Sequence, residues 1–465
     1  MSSTGTSRFP VGWMVQSARG RLVRGRAEGE FSGLSNDTRT IRRGALYVAL
    51  RGHRFDGHEF CREAIRKGAA GVLIEAGRLR GKSLPAAARV IEVRDTLRAL
   101  GRIARMHRRR FDIPVIAITG SNGKTTTKEM AAAVIGRPYR VLKTEGNLNN
   151  LIGLPLSLLR LGPEHEIAVL ELGMNHLGEV RDMTRICEPS VGVITNVGPA
   201  HTENFRSINE VARAKGELFR TMRDGTIVVN ADDPRIVKLA KGLPHRRISF
   251  GIARRAKLRA EGIRRKGIGG LSFTLVSGGR RTRISLPVPG RHNVQNALAA
   301  AGAAFAVGLG PPDVARGLAT FENTPWRMEI MKVGRNVILI NDCYNANPAS
   351  MEAALRSFAE MKGDARGFVV LGDMLELGDG SEEAHRGVGR LVRDLGIEVL
   401  VTYGPLSKAT AEGASTGGGR TEVYVGKSHD EIISKLRGMT RGRDWILVKG
   451  SREMRMEKIV EAFAA

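Results

Sequence analysis

The 465-residue sequence contains only three cysteines, Cys61, Cys187 and Cys343, which lie far apart and in no CxxC spacing. That argues against a disulfide framework or a zinc centre and fits a reducing cytoplasmic setting. Aromatic residues make up only 5%. No helix-turn-helix signature, zinc knuckle or aromatic-interleaved basic motif is found, so the usual apparatus for reading nucleic acid is lacking. No apolar run approaches the ~20 residues of a membrane span, and the longest candidate, Ala297 to Leu309, is short and rich in Ala and Gly. Nor does the N-terminus show a charged-then-apolar leader with a cleavage site. Acidic residues are outnumbered, 47 against 74 Lys and Arg, for a formal net charge of +27. Residues 1–112 hold 24 Lys/Arg against 10 Asp/Glu. Because the arginines are dispersed, as at Arg19, Arg21, Arg24 and Arg26, the excess reads as a solvated surface with weak attraction to anionic membrane.

What is present is enough apolar material, 42%, to fill several cores. At ~150 residues per domain the length predicts about three. The pattern divides into an N-terminal α/β unit over 1–112, a central unit over 113–324 and a C-terminal unit over 325–465. In the first, 44–50, 71–74 and 89–93 read as strands, and 59–67 and 96–110 as helices. From Asp112, strand, loop and helix repeat at βαβ spacing, with strands at 114–118, 166–172, 191–197 and 225–230, which predicts a parallel sheet covered on both faces. Basic segments between 247 and 289 read as an antiparallel insertion or sheet edge. An Ala-rich helix through Ala306 follows. After Pro325-Trp-Arg327 five further strands, at 337–342, 367–373, 398–402, 421–425 and 444–449, predict a second doubly wound unit. It carries no G-x-G-x-x-G after its first strand, so NAD is disfavoured.

The chain is organised around Ala117-Ile-Thr-Gly-Ser-Asn-Gly-Lys-Thr-Thr-Thr-Lys128. An apolar strand precedes it and a helix follows, the layout of a phosphate cradle. Gly120 and Gly123 permit a tight turn through Ser121 and Asn122 whose N–H groups converge on an anion. Lys124 can reach the β/γ-phosphates, and the Thr125 hydroxyl, next to Thr126, can coordinate Mg²⁺. Ile118 stands where the first glycine of GxxxxGK[ST] would be. Glu171 ends one strand and His201 follows another. Both are expected near the loop, at the carboxyl ends of the strands.

Several ordered stretches resemble the Mur ligase family: Ile118 to Met130, Glu145 to Asn150 with Gly153-Leu-Pro155, Glu171 to Glu179 and Thr195 to His201. Ala214 to Glu217, Asn230 to Pro234, Gly290 to Ala297, Asn341 to Pro348, Leu371 to Gly378 and Val448 to Arg452 continue the likeness over essentially the whole chain. The resemblance implies three domains, a small UDP-binding α/β unit, a P-loop parallel-sheet ATPase and a Rossmann-like C-terminal unit. It implies ATP-dependent amide formation in peptidoglycan precursor synthesis, joining D-alanyl-D-alanine to a UDP-N-acetylmuramoyl-tripeptide through an acyl phosphate, in a cytoplasmic monomer.

By resemblance, Lys124 and Thr125 serve ATP and Mg²⁺. Glu171 and His201 ligate a second Mg²⁺, two ions in all, and Lys215 is N-carbamylated into an oxygen-bearing ligand. Asn293 contacts adenine, Asp342 the ribose and Arg327 the γ-phosphate, with Tyr344 bordering the adenine. Asn147 supports the phosphate or metal shell. Ser35, Asp37, Thr38 and Arg39 meet the UDP moiety, the usual Asp-Ser-Arg appearing as Asp-Thr-Arg. Lys449, Ser451 and Arg452 lie where the incoming dipeptide would be met. A sister ligase adding a free amino acid, a folate-type polyglutamate ligase and, from loop and charge alone, an ATPase acting on nucleic acid are the rival readings.

Overall fold

The computed structural model describes residues 8–52, 55–79, 84–199, 203–334 and 336–464, and among these the strands form four sheets. The first seven strands are β1 (Phe9–Pro10), β2 (Arg21–Arg24), β3 (Glu30–Phe31), β4 (Leu34–Ser35), β5 (Leu46–Val48), β6 (Gly71–Glu75) and β7 (Arg89–Val93). β1 and β3 pair antiparallel, and the other five form a sheet in the order β2-β7-β6-β5-β4, parallel except for β2. Helices α1 (Val11–Ala18), α2 (Cys61–Arg66) and α3 (Thr96–Arg108) accompany them. α3 is capped by Asp95, whose side chain accepts from the Arg98 N–H, and buries Ala99, Leu100, Ile103, Ala104 and His107 at helical spacing. That is one apolar stripe with arginines on the opposite side.

The central sheet has nine strands: β8 (Val115–Thr119), β9 (Val141–Lys143), β10 (Ile167–Glu171), β11 (Val191–Ile194), β12 (Thr226–Asn230), β13 (Arg246–Gly251), β14 (Leu258–Lys266), β15 (Gly270–Ser277) and β16 (Arg280–Leu286). Their spatial order is β16-β15-β14-β13-β12-β11-β8-β10-β9. All five residues of β8, β10 and β12 are buried, which is why these strands read as unbroken apolar runs. The chain covers both faces with α4 (Lys124–Ile135), α5 (Gly153–Leu158), α6 (Glu179–Cys187), α7 (Ile208–Thr221), α8 (Pro234–Ala240), α9 (Arg291–Ala306) and α10 (Pro311–Ala319). β14, β15 and β16 pair antiparallel, as expected for 247–289, whereas β13 joins the parallel part. Because β8 lies between β11 and β10, later strands run off to either side of it. Its carboxyl end is therefore a switch point, where such sheets bind ligands.

The N-terminal and central units share a core. α3 packs on α5 and α6, and one buried cluster joins Phe9, Met14, Leu100 and Ile103 to Leu158, Leu170 and Met183.

The C-terminal sheet comprises β17 (Glu329–Val333), β18 (Val337–Asp342), β19 (Gly367–Gly372), β20 (Val399–Tyr403), β21 (Glu422–Gly426) and β22 (Trp445–Lys449), in the order β17-β18-β22-β19-β20-β21. Only β17 runs antiparallel to its neighbour. It escaped the sequence reading because it is a half-buried edge with charges at Glu329 and Lys332. α11 (Pro348–Lys362), α12 (Ser381–Asp394), α13 (Ser407–Ser415), α14 (His429–Met439) and α15 (Glu457–Ala464) cover this sheet. Alternate residues of its strands feed two clusters, Ile338, Ile340, Val369 and Leu447 in one and Leu339, Phe368, Val370 and Val448 in the other. Among the described residues no apolar cluster bridges this sheet to the central one. Contacts across the junction are largely polar, the kind that permits relative motion.

Candidate active site

The loop after β8 is held in shape from outside. Gly120 has φ +152° and Gly123 φ +77°. A Cβ on Gly120 would stand 1.9 Å from Thr195 Oγ1, and one on Gly123 would stand 2.1 Å from Asn296 Oδ1. Glycine is therefore required at both positions by conformation and by space. Asn196 grips the turn reciprocally: the Asn122 N–H donates to Asn196 Oδ1 at 2.9 Å, and Asn196 Nδ2 donates to the Asn122 carbonyl at 2.9 Å. Thr195 Oγ1 donates to the same carbonyl at 2.6 Å, and Ser121 Oγ donates to the Gly198 carbonyl at 2.8 Å. Lys124 opens α4 and folds back, its ammonium donating to the carbonyls of Gly120 at 2.9 Å and Ser121 at 3.3 Å. Burial pulls its pKa below the ordinary lysine value, with Arg327 adding to the shift and Glu171 opposing it.

Glu171, the last residue of β10, is 2% exposed. Its Oε1 accepts from Asn149 Nδ2 at 2.8 Å, while its Oε2 is buried without a hydrogen-bond partner. A buried carboxylate oxygen left open beside an ammonium and a threonine hydroxyl suits a hard, oxygen-seeking cation. Among the described residues no cluster of three or more His, Cys, Asp or Glu side chains forms a self-sufficient metal centre. A cation here would draw on phosphate oxygens or other ligands as well. His201, expected as a metal ligand, lies outside the described residues. Lys215, on α7, is 1% exposed and forms no ion pair with a described acidic residue. Burial, reinforced by the charge of Lys124, drives its pKa well below that of an ordinary lysine.

The opposite wall comes from the linker and the C-terminal unit. Arg327 sits between Trp326 (φ +64°) and Met328 (φ +48°), two left-handed non-glycine residues. Such strain is tolerated only where the surroundings enforce it. The Arg327 guanidinium lies 4.1 Å from the Tyr344 ring centroid and donates to Thr125 Oγ1 at 3.0 Å, with its Nε buried and unpartnered. Asn347 caps α11, accepting from the Ser350 N–H at 2.9 Å, and donates through Nδ2 to Asn122 Oδ1 at 2.8 Å. Asp342, at the end of β18, is paired with Lys449 of β22 at 2.6 Å and accepts from the Met328 N–H at 3.1 Å. Between the walls lies a cleft of about 520 Å³, lined by Ser121 to Thr126, Glu171, Asn293, Arg327, Asp342, Tyr344 and Lys449 among others. That is an ordinary size for a small-molecule site.

Asn293 faces this cleft with its amide committed, Nδ2 to the Pro289 carbonyl and Oδ1 to Asn296 Nδ2. Asn147 is exposed and does not line the cleft, and the side chain that reaches Glu171 is that of Asn149. Ser35, Asp37, Thr38 and Arg39 form a separate cluster at the carboxyl end of β4, also outside the cleft. There the Arg39 N–H donates to Asp37 Oδ1 at 2.8 Å, its guanidinium pairs with Asp37 Oδ2 at 2.7 Å, and Thr38 Oγ1 donates to Glu63 Oε1 at 3.1 Å. The hydrogen bonds from Arg39 hold the Asp37 carboxyl below its usual pKa. Ser451 Oγ accepts from the Leu375 N–H at 2.9 Å, and Arg452 stacks 4.3 Å from the Trp326 ring.

Fold and site together define a three-unit α/β nucleotide-binding protein whose phosphate loop faces a C-terminal unit across a polar cleft. The chain belongs to the Mur ligase family. Residues 30–108 match the family model described as Mur ligase family, catalytic domain, residues 118–304 the Mur ligase middle domain, and residues 326–452 the Mur ligase, glutamate ligase domain. UDP-N-acetylmuramoyl-tripeptide--D-alanyl-D-alanine ligase of Bacillus subtilis is 37% identical over 92% of each chain. A crystal structure of MurF from Acinetobacter baumannii superposes with a TM-score of 0.90 at 30% identity over 99% of both chains. MurF ligase from Thermotoga maritima in complex with ADP gives 0.81 at 26% identity, over 93% of this chain and 96% of that one.

Proposed function

We propose that the chain is an ATP-dependent amide ligase that adds D-alanyl-D-alanine to UDP-N-acetylmuramoyl-tripeptide. The observation that carries this reading is the junction of the phosphate loop with Arg327, Asp342 and Lys449 across one cleft, in a chain aligned over 92% of its length with a relative of that name. The tripeptide carboxylate attacks the γ-phosphorus of ATP, ADP leaves, and an acyl phosphate forms. The dipeptide amine then attacks the activated carbonyl, and phosphate leaves as the amide bond closes.

Both steps crowd negative charge, so preoriented cations contribute most. Lys124 leaves the loop carbonyls for the β/γ-phosphates, Arg327 exchanges the Thr125 hydroxyl for the transferring phosphoryl group, and the loop N–H groups hold the remaining oxygens. Asp342 accepts from the ribose hydroxyls and Asn293 borders the adenine. In the N-terminal unit, Ser35, Asp37, Thr38 and Arg39 receive the UDP end of the substrate. Thr125, Glu171 Oε2, His201 and Lys215 would hold Mg²⁺, two ions in this reading, and the metal would supply neutralisation of phosphate and carboxylate oxygens. For Lys215 to serve, its neutral amine adds to CO₂ with loss of a proton, giving a carbamate. The depressed pKa of the buried amine favours the nucleophilic form this requires. No described helix is long and apolar enough to cross a membrane, and we place the reaction in the cytoplasm, carried out by a monomer.

The test is phosphate release from ATP and Mg²⁺ with UDP-N-acetylmuramoyl-tripeptide, with and without D-alanyl-D-alanine, followed by mass spectrometry. Turnover that needs both substrates and yields the pentapeptide is expected. Turnover with a free amino acid instead would move the chain to a sister ligase.

A further inference from the structure

The segment 246–286 carries twelve Lys and Arg against a single acidic residue, Glu261. It forms β13 and the three antiparallel strands β14, β15 and β16 at one end of the central sheet. One face of these three strands is core: Leu258, Ala260, Phe273, Leu275, Ile284 and Leu286 are buried. The pairing register fixes what lies on the other. Arg259, Val276 and Arg281 stand in one cross-strand row, and Glu261, Thr274 and Arg283 in the next; beyond the bulge come Arg264, Ser272 and Ser285. Glu261 is engaged by Arg259 at 2.9 Å and Arg281 at 2.8 Å. Arg264 and Arg283 are exposed and form no ion pair with a described residue.

Charge on a terminal strand commonly serves to block edge-to-edge pairing, and that accounts for Arg280, Arg281 and Arg283 on β16. It does not account for Arg259 and Arg264 on β14, two strands in, or for exposed Arg246 and Arg247 on β13. The surface is basic. It offers no aromatic side chain for stacking a base, since Phe250 and Phe273 are both buried, and no helix to enter a groove, so nucleic acid fits it poorly. A basic sheet face without a groove or stacking platform complements the charge of a layer of anionic headgroups.

We propose that the outer face of β14–β16 is a docking surface for an anionic phospholipid bilayer, separate from the nucleotide cleft. The experiment is co-sedimentation of the full chain with phosphatidylglycerol/phosphatidylcholine vesicles and with pure phosphatidylcholine vesicles, at low and at high salt. Binding is expected only to the anionic vesicles, and salt should weaken it steeply. The triple variant Arg264→Glu, Arg281→Glu, Arg283→Glu should lower partitioning about tenfold or more. A control triple with the same charge change elsewhere, Arg98→Glu, Arg356→Glu, Arg437→Glu, should lower it far less. Equal losses in the two triples, or none in the first, would overturn the proposal by leaving only diffuse attraction to a basic protein. Tighter binding of duplex DNA or single-stranded RNA than of vesicles, abolished by the first triple, would overturn it in favour of nucleic acid. Solution turnover without vesicles reports folding independently. If the glutamate triple unfolds, the Arg→Gln triple at the same positions carries the test.

Discussion

Arg327 Nη2 donates to Thr125 Oγ1 at 3.0 Å, joining residues 202 positions apart. The linker arginine thus rests against the first turn of the helix that begins at the phosphate loop, where a transferring phosphoryl group would stand. Arg327→Ala is expected to lower kcat for phosphate release about 10²- to 10³-fold. Arg327→Lys should recover only part, because an ammonium lacks the planar fork that stacks on Tyr344 and reaches two oxygens. Steady-state turnover decides, and undiminished kcat in the alanine variant would remove Arg327 from the chemistry.

Gly123 offers a test of the loop itself. At φ +77°, with Asn296 Oδ1 only 2.1 Å from where a Cβ would be, Gly123→Ala is expected to cost about 1–3 kcal/mol of stability and to raise the KM for ATP. Adding Asn296→Ala should recover the steric part while the backbone strain remains, so a denaturant titration of the three variants separates the two contributions.

Lys449 is 2% exposed and ion-paired to Asp342. Lys449→Met keeps the aliphatic bulk but strands a carboxylate in the C-terminal sheet, and breaking a buried pair from one side costs about 3–5 kcal/mol. Thermal unfolding should show the loss, and Asp342→Asn added to Lys449→Met should restore much of it. A double variant no more stable than the single one would argue against the pair.

The seam between the N-terminal and central units should be acid-sensitive. Burial opposes the Glu188 charge, but hydrogen bonds from Arg109 and Arg105 outweigh it and bring the pKa down to about 2. A carboxyl depressed on folding stabilises the folded chain above its unfolded pKa near 4.5, and loses that contribution as pH falls toward 2. Glu188→Gln should therefore be less stable than the native chain at pH 7, with the gap narrowing across that window. A gap independent of pH would mean that packing, not charge, sets it.

The sequence made the central features readable because their signals are local. Gly-Ser-Asn-Gly-Lys-Thr announces its turn by composition, and the buried parallel strands announce themselves as apolar runs. β9 and β17 were missed because three residues, or a charged edge, carry too little pattern. The asparagines that assemble the cleft were illegible for a different reason. Asn149, Asn196, Asn296 and Asn347 each act through one amide reaching a distant segment. Nothing in the residues adjacent to an asparagine distinguishes that duty from service in an ordinary turn. Asn147 and Asn149 lie two positions apart in one motif, and only the backbone path decides which faces Glu171.

The strand order β17-β18-β22-β19-β20-β21 sets a timetable for synthesis. β22 is the last of these strands to leave the ribosome, yet its place is in the middle, between β18 and β19. Until it arrives, both of those strands lack a neighbour and Asp342 has no Lys449. A nascent chain can thus complete its phosphate loop long before it can complete the opposite wall of the cleft, which delays the assembled site until the last strand of this sheet has been made.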